Sequence, residues 1–278
     1  MKNKSDARVT KGIIFAGCSF TWGQGLYYYS NLSTIKEPPP DCYIPEFVQH
    51  SHLKFMESVR SPRLVANHFN TFELVQKPNG GSCDSAIKWW DDALTDKELS
   101  NNHNEPYYYN YSDISHVIFQ MTFWHRNSFR LHYDNKDYDI AYTETWQEPH
   151  QAIFEKWLIE HNLTFEEWER AGIQITVDKV KQFLQKMEDH GIKATILTWP
   201  EENVKFIKKD PWLNERFMSI DYRGITYNSM QDLLTCNNEL RIDTDYENFD
   251  IPPKDHHPSL ECHQVMARNL IQHLEENI

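Results

Sequence analysis

Gly12-Ile-Ile-Phe-Ala-Gly-Cys-Ser-Phe-Thr-Trp-Gly-Gln-Gly-Leu26 is the stretch from which the rest of this chain is read. Ile13 to Ala16 is an apolar run too short for a helix, and it predicts a fully buried strand. The run ends at Gly17-Cys18-Ser19-Phe20-Thr21-Trp22-Gly23. Two glycines bracket a small polar residue where the strand stops. That arrangement delivers one hydroxyl to the carboxyl edge of a parallel sheet, where open α/β folds bind ligands. Taken alone, the same residues also read as an ordinary strand followed by a Gly-Ser turn.

Gly17-Cys-Ser-Phe-Thr-x-Gly23 resembles the first block of the SGNH (GDSL-type) hydrolases, Gly-Asp-Ser-Leu-Thr-x-Gly. Cys18 stands in the aspartate position and Phe20 in the leucine position. The resemblance implies a three-layer α/β/α sandwich with a parallel five-stranded, flavodoxin-like sheet. It implies a family of esterases, lipases, carbohydrate deacetylases and acyltransferases. Ser19 would be the nucleophile, and its backbone N–H one oxyanion donor. Cys18 could be mistaken for the nucleophile, but on a strand end its side chain points to the opposite face from Ser19.

Further along, Lys77-Pro-Asn-Gly-Gly-Ser-Cys-Asp-Ser-Ala-Ile87 leads into a predicted helix over 86–94. A Gly-Gly turn before a helix exposes backbone N–H groups, though it is equally a plain strand-to-helix turn. It resembles the second family block, which makes Gly81, in preference to Gly80, the second oxyanion donor. Ser115 to Thr122 predicts the third strand. The family's Gly-x-Asn-Asp block belongs at its end, and Gln120-Met-Thr-Phe123 stands there instead. The asparagine that completes the oxyanion hole is absent. The Thr122 hydroxyl can donate one hydrogen bond in its place. Arg126, close behind, offers charge-assisted donors to substrate or forms a surface ion pair.

Ile192 to Thr198 predicts the fourth strand, followed by Trp199-Pro-Glu-Glu202. Trp199 either lines a substrate cleft or anchors a loop. Asp255-His256-His257-Pro258 precedes a terminal amphipathic helix bearing Leu260, Val265, Met266, Leu270, Ile271 and Leu274. Pro258 suits a first helical turn and holds His257 extended. The family block here is Asp-x-x-His-Pro. By resemblance His257 is the general base. The usual acid position holds Lys254, so Asp255, one residue later, is taken as the acid.

The remaining elements follow from pattern. Ser61 to Phe69 reads as a helix with Pro62 at its first turn. Thr71 to Val75 reads as a second strand. Residues 127–150 read as a loop or small hairpin. Three helical stretches follow between 146 and 190, the second opened by a Thr164/Glu167 capping box. Residues 224–234 predict a short helix and 240–242 a fifth strand. The chain is read as one domain over 1–278, with insertions at about 27–60, which reads as irregular, and 127–190.

Composition bounds the function. The chain has 278 residues, with 9 Trp and 14 Tyr and a net charge of −13. That balance argues against a nucleic-acid or anionic-membrane partner, which needs a basic face. No secretory leader and no membrane-spanning stretch is evident, which favours a cytoplasmic or virion-associated chain. The five cysteines (18, 42, 83, 236 and 262) are scattered and odd in number, so they read as reduced thiols. No metal or other cofactor is expected.

The combined reading is a serine esterase acting on a small-molecule or glycan ester, such as an O-acetyl group on a carbohydrate. Three rivals stand beside it. One is an O-acyltransferase with the same triad. Another is a non-catalytic glycan-binding or virion-associated module that keeps the fold; the chain also resembles uncharacterised bacteriophage members of the family. The third is a metal-dependent hydrolase built on His50, His52, His256 and His257.

Overall fold

The computed structural model describes residues 11–23, 25, 26, 29, 50–75, 81–95, 109–126, 128–141, 150–242 and 257–277. Of residues 19, 22, 50, 52, 125, 128 and 139–141 it describes only the backbone. Gly12–Ala16 forms β1, every residue of it buried. The short helix Ser19–Trp22 (α1) starts two residues after Gly17 and ends at Gly23, whose φ of 92° is one that glycine adopts readily. His50–Val59 (α2) and Ser61–His68 (α3) follow, with Pro62 in the first turn of α3. Glu73–Val75 (β2), Cys83–Thr95 (α4) and Ile114–Met121 (β3) complete the first half.

Ser128–Tyr133 (β4) and Lys136–Ala141 (β5) pair as a hairpin. Its turn residues Asp134 and Asn135 both have positive φ, as a tight two-residue turn requires. His150–Glu160 (α5) and the 25-residue Phe165–Asp189 (α6) come next, and the Thr164/Glu167 capping box is present. Lys193–Thr198 is β6. Val204–Lys209 (α7), Pro211–Arg216 (α8), the hairpin Ile220–Tyr222 (β7) with Ile225–Tyr227 (β8), Met230–Cys236 (α9) and Leu260–Asn277 (α10) finish the chain.

The main sheet is parallel in the order β2-β1-β3-β6. Side-chain alternation sends successive residues to opposite faces. Ile14, Ala16, Val117, Phe119 and Ile196 pack on α4 and α6, through Trp90, Val180 and Leu184. Ile13, Phe15, Ile118 and Leu197 pack on α3, α9 and α10, through Val65, Leu233, Met266 and Leu270. The result is a helix–sheet–helix sandwich. The chain leaves β1 for β2 on one side and returns to β3 on the other. The carboxyl ends of β1 and β3 therefore frame a topological switch point.

Four expectations are corrected. The sheet has four described strands, not five. Leu240 ends a 3-10 turn instead of starting a strand, and Arg241 forms an isolated antiparallel bridge to Pro258. Phe217 forms a single parallel bridge to Ile196, so only a stub lies beside β6. Residues 220–227 are a hairpin turning at Arg223-Gly224, and the helix starts only at Met230. The second and third helical stretches are one continuous α6. Within 27–60, read as irregular, residues 50–59 are helical. No helix among the described residues is long and apolar enough to cross a membrane.

Candidate active site

The sequence-predicted residues that fall among the described ones can be placed one by one near the carboxyl edge of the sheet. Ser19 opens α1 directly after β1. Gly17 is required by close packing: a Cβ there would collide with the side chain of Thr21 and lie 3.3 Å from Cβ of Gln120. The Thr21 hydroxyl donates to Oε1 of Gln120, which ties α1 to the end of β3. Gly81 is buried just before Ser82, whose hydroxyl and carbonyl accept from Ser85 and Ala86 at the start of α4.

Thr122 follows β3 and is 1% exposed. Its backbone N–H donates to Sγ of Cys83 at 3.4 Å. Its carbonyl accepts from Nδ2 of Asn203 at 3.3 Å. Asn203, fully buried, also donates to the Thr198 hydroxyl at 3.1 Å and so locks the ends of β3 and β6 together. The Thr122 hydroxyl itself is enclosed and has no hydrogen-bond partner among the described residues. Burial pushes the Cys83 thiol up to about 12, so it stays protonated and serves as a packing group.

His257 lies just before α10 and is 7% exposed. Its carbonyl accepts from the backbone N–H of Ile242 at 3.0 Å, and Leu240 accepts from Ser259 at 2.8 Å. The Ser259 hydroxyl caps α10 by accepting from Cys262 at 3.2 Å. His257 is thereby fixed on both sides. Asp255 and His256 lie outside the described residues.

Phe20, which the sequence reading passed over, joins these parts. Its ring stacks on Trp199 with centroids 3.5 Å apart and planes inclined by 6°. It meets the His257 ring at 4.7 Å, tilted by 42°. The Arg126 guanidinium lies 5.6 Å from its centroid. The residue after Ser19 therefore touches the elements that carry His257, Trp199 and Arg126. Trp199 is 7% exposed, and its backbone N–H donates to the Met121 carbonyl at 2.8 Å, so it is a buried wall more than an open platform. Close behind it, burial and the nearby Glu169 raise the Glu202 carboxyl above the usual carboxylate range.

Phe20 carries no polar atom to mark it in a sequence, and Asn203 comes from an unrelated turn, so neither announced itself. Among the described residues no group of three His, Cys, Asp or Glu is arranged to hold a metal ion. The side chains of His50 and His52 and the whole of His256 lie outside the described parts.

No family model matches the sequence, and no curated protein matches it. Among solved structures, this chain is similar to an acetyl xylan esterase, Est2A, from the rumen bacterium Butyrivibrio proteoclasticus. The identity is 14% and the TM-score 0.47, over 96% of this chain and 64% of that one. A second is a carbohydrate esterase whose active site is described as having divergent catalytic and non-catalytic binding functions. There the identity is 13% and the TM-score 0.37, over 96% of this chain and 68% of that one. The chain thus spans less than two thirds of the first structure. At these identities and scores the likeness carries no functional argument.

Proposed function

We propose that this chain is a serine ester hydrolase of the SGNH type. The observation that supports it best is the contact of Phe20 with His257, because it draws together the turn bearing Ser19 and the proposed base at a switch point of a parallel sheet. In this reading His257 takes the proton of the Ser19 hydroxyl as the oxygen attacks the ester carbonyl. The backbone N–H groups of Ser19 and Gly81, with the Thr122 hydroxyl, stabilise the oxyanion, each such donor being worth about 3 kcal/mol. Collapse expels the alcohol, which receives the proton from His257. Water, deprotonated by the same imidazole, then releases the acid and restores Ser19. Asp255 holds the imidazole in register.

The substrate we favour is a neutral or sugar-bearing ester, such as an O-acetyl group on a carbohydrate. A net charge of −13 repels anionic substrates. Arg126 and the edge of Trp199 are the substrate contacts in this scheme. The test is a fluorophosphonate probe followed by mass spectrometry. One adduct on Ser19, lost in Ser19→Ala, supports the mechanism; an adduct on Cys18, or labelling that survives the substitution, rejects it.

The enclosed Thr122 hydroxyl favours a second reading, in which the fold is kept for glycan binding without turnover. Glycan binding by a protein that leaves p-nitrophenyl acetate intact and takes up no probe would select it.

A further inference from the structure

Beneath α1, on the α10 side of the sheet, lies a cavity of about 30 Å³. Phe20, Thr21, Ser61, Gln120, Pro258 and His263 contribute to its lining, and most of the remaining wall is apolar core. His263 is 2% exposed. Its Nδ1 accepts from the backbone N–H of Ser61 at 3.2 Å and lies 3.3 Å from the Ser61 hydroxyl. A ring nitrogen that accepts a backbone N–H carries no proton, so the neutral ring is protonated on Nε2. Burial, with Arg60 and His257 nearby, pushes this imidazole down to about 3, which keeps it neutral. Nε2 is nevertheless enclosed and has no hydrogen-bond partner among the described residues.

A buried donor left dry costs about 1–3 kcal/mol. A water molecule needs about 10–15 Å³ and two to four polar partners. The cavity has the volume, and His263, Gln120, Thr21 and Ser61 all border it. An apolar occupant would leave the His263 donor unsatisfied, whereas a water molecule can accept from it.

We propose that this cavity is a binding site for one ordered water molecule, which accepts the Nε2–H of His263 and is held on its other side by the Gln120–Thr21 pair. The water connects α10 with the end of β3 and with α1. His263 is then a positioning residue for the turn that carries Ser19; this second step rests on the hydrolase reading, whereas the water site does not.

A high-resolution crystal structure of the unaltered protein is the primary test. The expected result is a density peak at 2.7–3.2 Å from Nε2 of His263 and within the same reach of Gln120 or Thr21. Ring nitrogen chemical shifts should report the Nε2-protonated tautomer. An empty cavity in a well-ordered map, or a ring protonated on Nδ1, overturns the proposal. His263→Phe removes both ring nitrogens at similar size, and His263→Gln keeps one acceptor and one donor. Fluorophosphonate labelling should slow about ten- to a hundred-fold in His263→Phe and recover in His263→Gln. Equal labelling of both folded variants would overturn the positioning role and leave the water site to the map. If His263→Phe does not fold, the map and ring shifts of the unaltered protein decide. If the unaltered protein takes up no probe, the hydrolase reading and the positioning role fall together, and the map still judges the water.

Discussion

The indole of Trp199 lies face to face with the phenyl ring of Phe20, centroids 3.5 Å apart, and the His257 ring and the Arg126 guanidinium also lie against Phe20. The stack joins the ends of β1 and β6 and sets one wall of the candidate site. Phe20→Ala should cost about 1–3 kcal/mol, combining lost burial with a stacking contribution of about 0.5–1.5 kcal/mol. Denaturant unfolding measures that cost. Probe labelling should fall by more than the unfolded fraction explains. Unchanged labelling would separate the stack from the chemistry.

Thr122→Val tests the enclosed hydroxyl. An unpartnered buried polar atom destabilises, so its replacement by a methyl group should leave stability equal or raise it by up to about 2 kcal/mol. If the hydroxyl reaches the oxyanion during turnover, kcat on p-nitrophenyl acetate should drop about ten- to a thousand-fold. A more stable protein with full kcat would remove Thr122 from the mechanism.

The two adjacent histidines should behave differently. His257 is clamped by Ile242 and by the bridge at Pro258, so His257→Ala should lower turnover about 10⁴-fold or more. If His257 alone is the base, His256→Ala should cost little. Asp255→Asn should fall between them. Comparable losses at 256 and 257 would reassign the base.

Gly17→Ala would force a methyl group onto Thr21 and against Gln120. Such overpacking typically costs about 1–3 kcal/mol. Thr21→Ala in the same chain should restore part of the loss, because the two sites share one space. Strict additivity in the double-mutant cycle would mean that the collision is relieved elsewhere.

Acid should weaken the fold before the carboxylates titrate. Burial, with Lys193, pushes His116 down to about 4, and burial pushes His263 down to about 3. The unfolded chain binds these protons near pH 6.5, ahead of the folded one. Stability is therefore complete above about pH 6.5 and is lost as pH falls toward the folded values. Urea midpoints measured from pH 7 to pH 4.5 should decline, and His116→Gln should flatten part of the slope. A flat profile above pH 5 would mean that both rings are as basic when folded as when unfolded.

Much of the layer order was legible in the sequence. The apolar runs ending at Ala16, Met121 and Thr198 have few alternatives to buried strands, and Thr164 with Glu167 marked a helix start that is present. The hairpin at 220–227 was missed because its turn is Arg223-Gly224, without the Asn or Asp that usually announces it, and its strands are three residues each. A fifth strand is expected from Leu240 to Ile242 because two apolar residues flank Arg241 there. Leu240 and Ile242 are buried by packing, and Arg241 between them makes an isolated bridge to Pro258, which composition cannot distinguish from a ladder. In the candidate site, glycine and the small hydroxyl residues carried a visible pattern. Phe20 stands within the Gly17 to Gly23 motif but its partners are distant in sequence, and for Asn203 and His263 nothing local marks a role.

His263 meets Ser61 across 202 positions of sequence, and Lys193 reaches the carbonyl of Asn277 near the far end of the same helix. Closing loops of that length carries an entropic cost that must be met before such contacts form. The segment bearing His257 sits at the start of that helix, so the two sides of the candidate site are brought together by the docking of α10. Refolding followed by probe uptake should lag behind refolding followed by helical signal. In kinetic terms, reactivity at Ser19 would count only those molecules in which α10 has docked on α3.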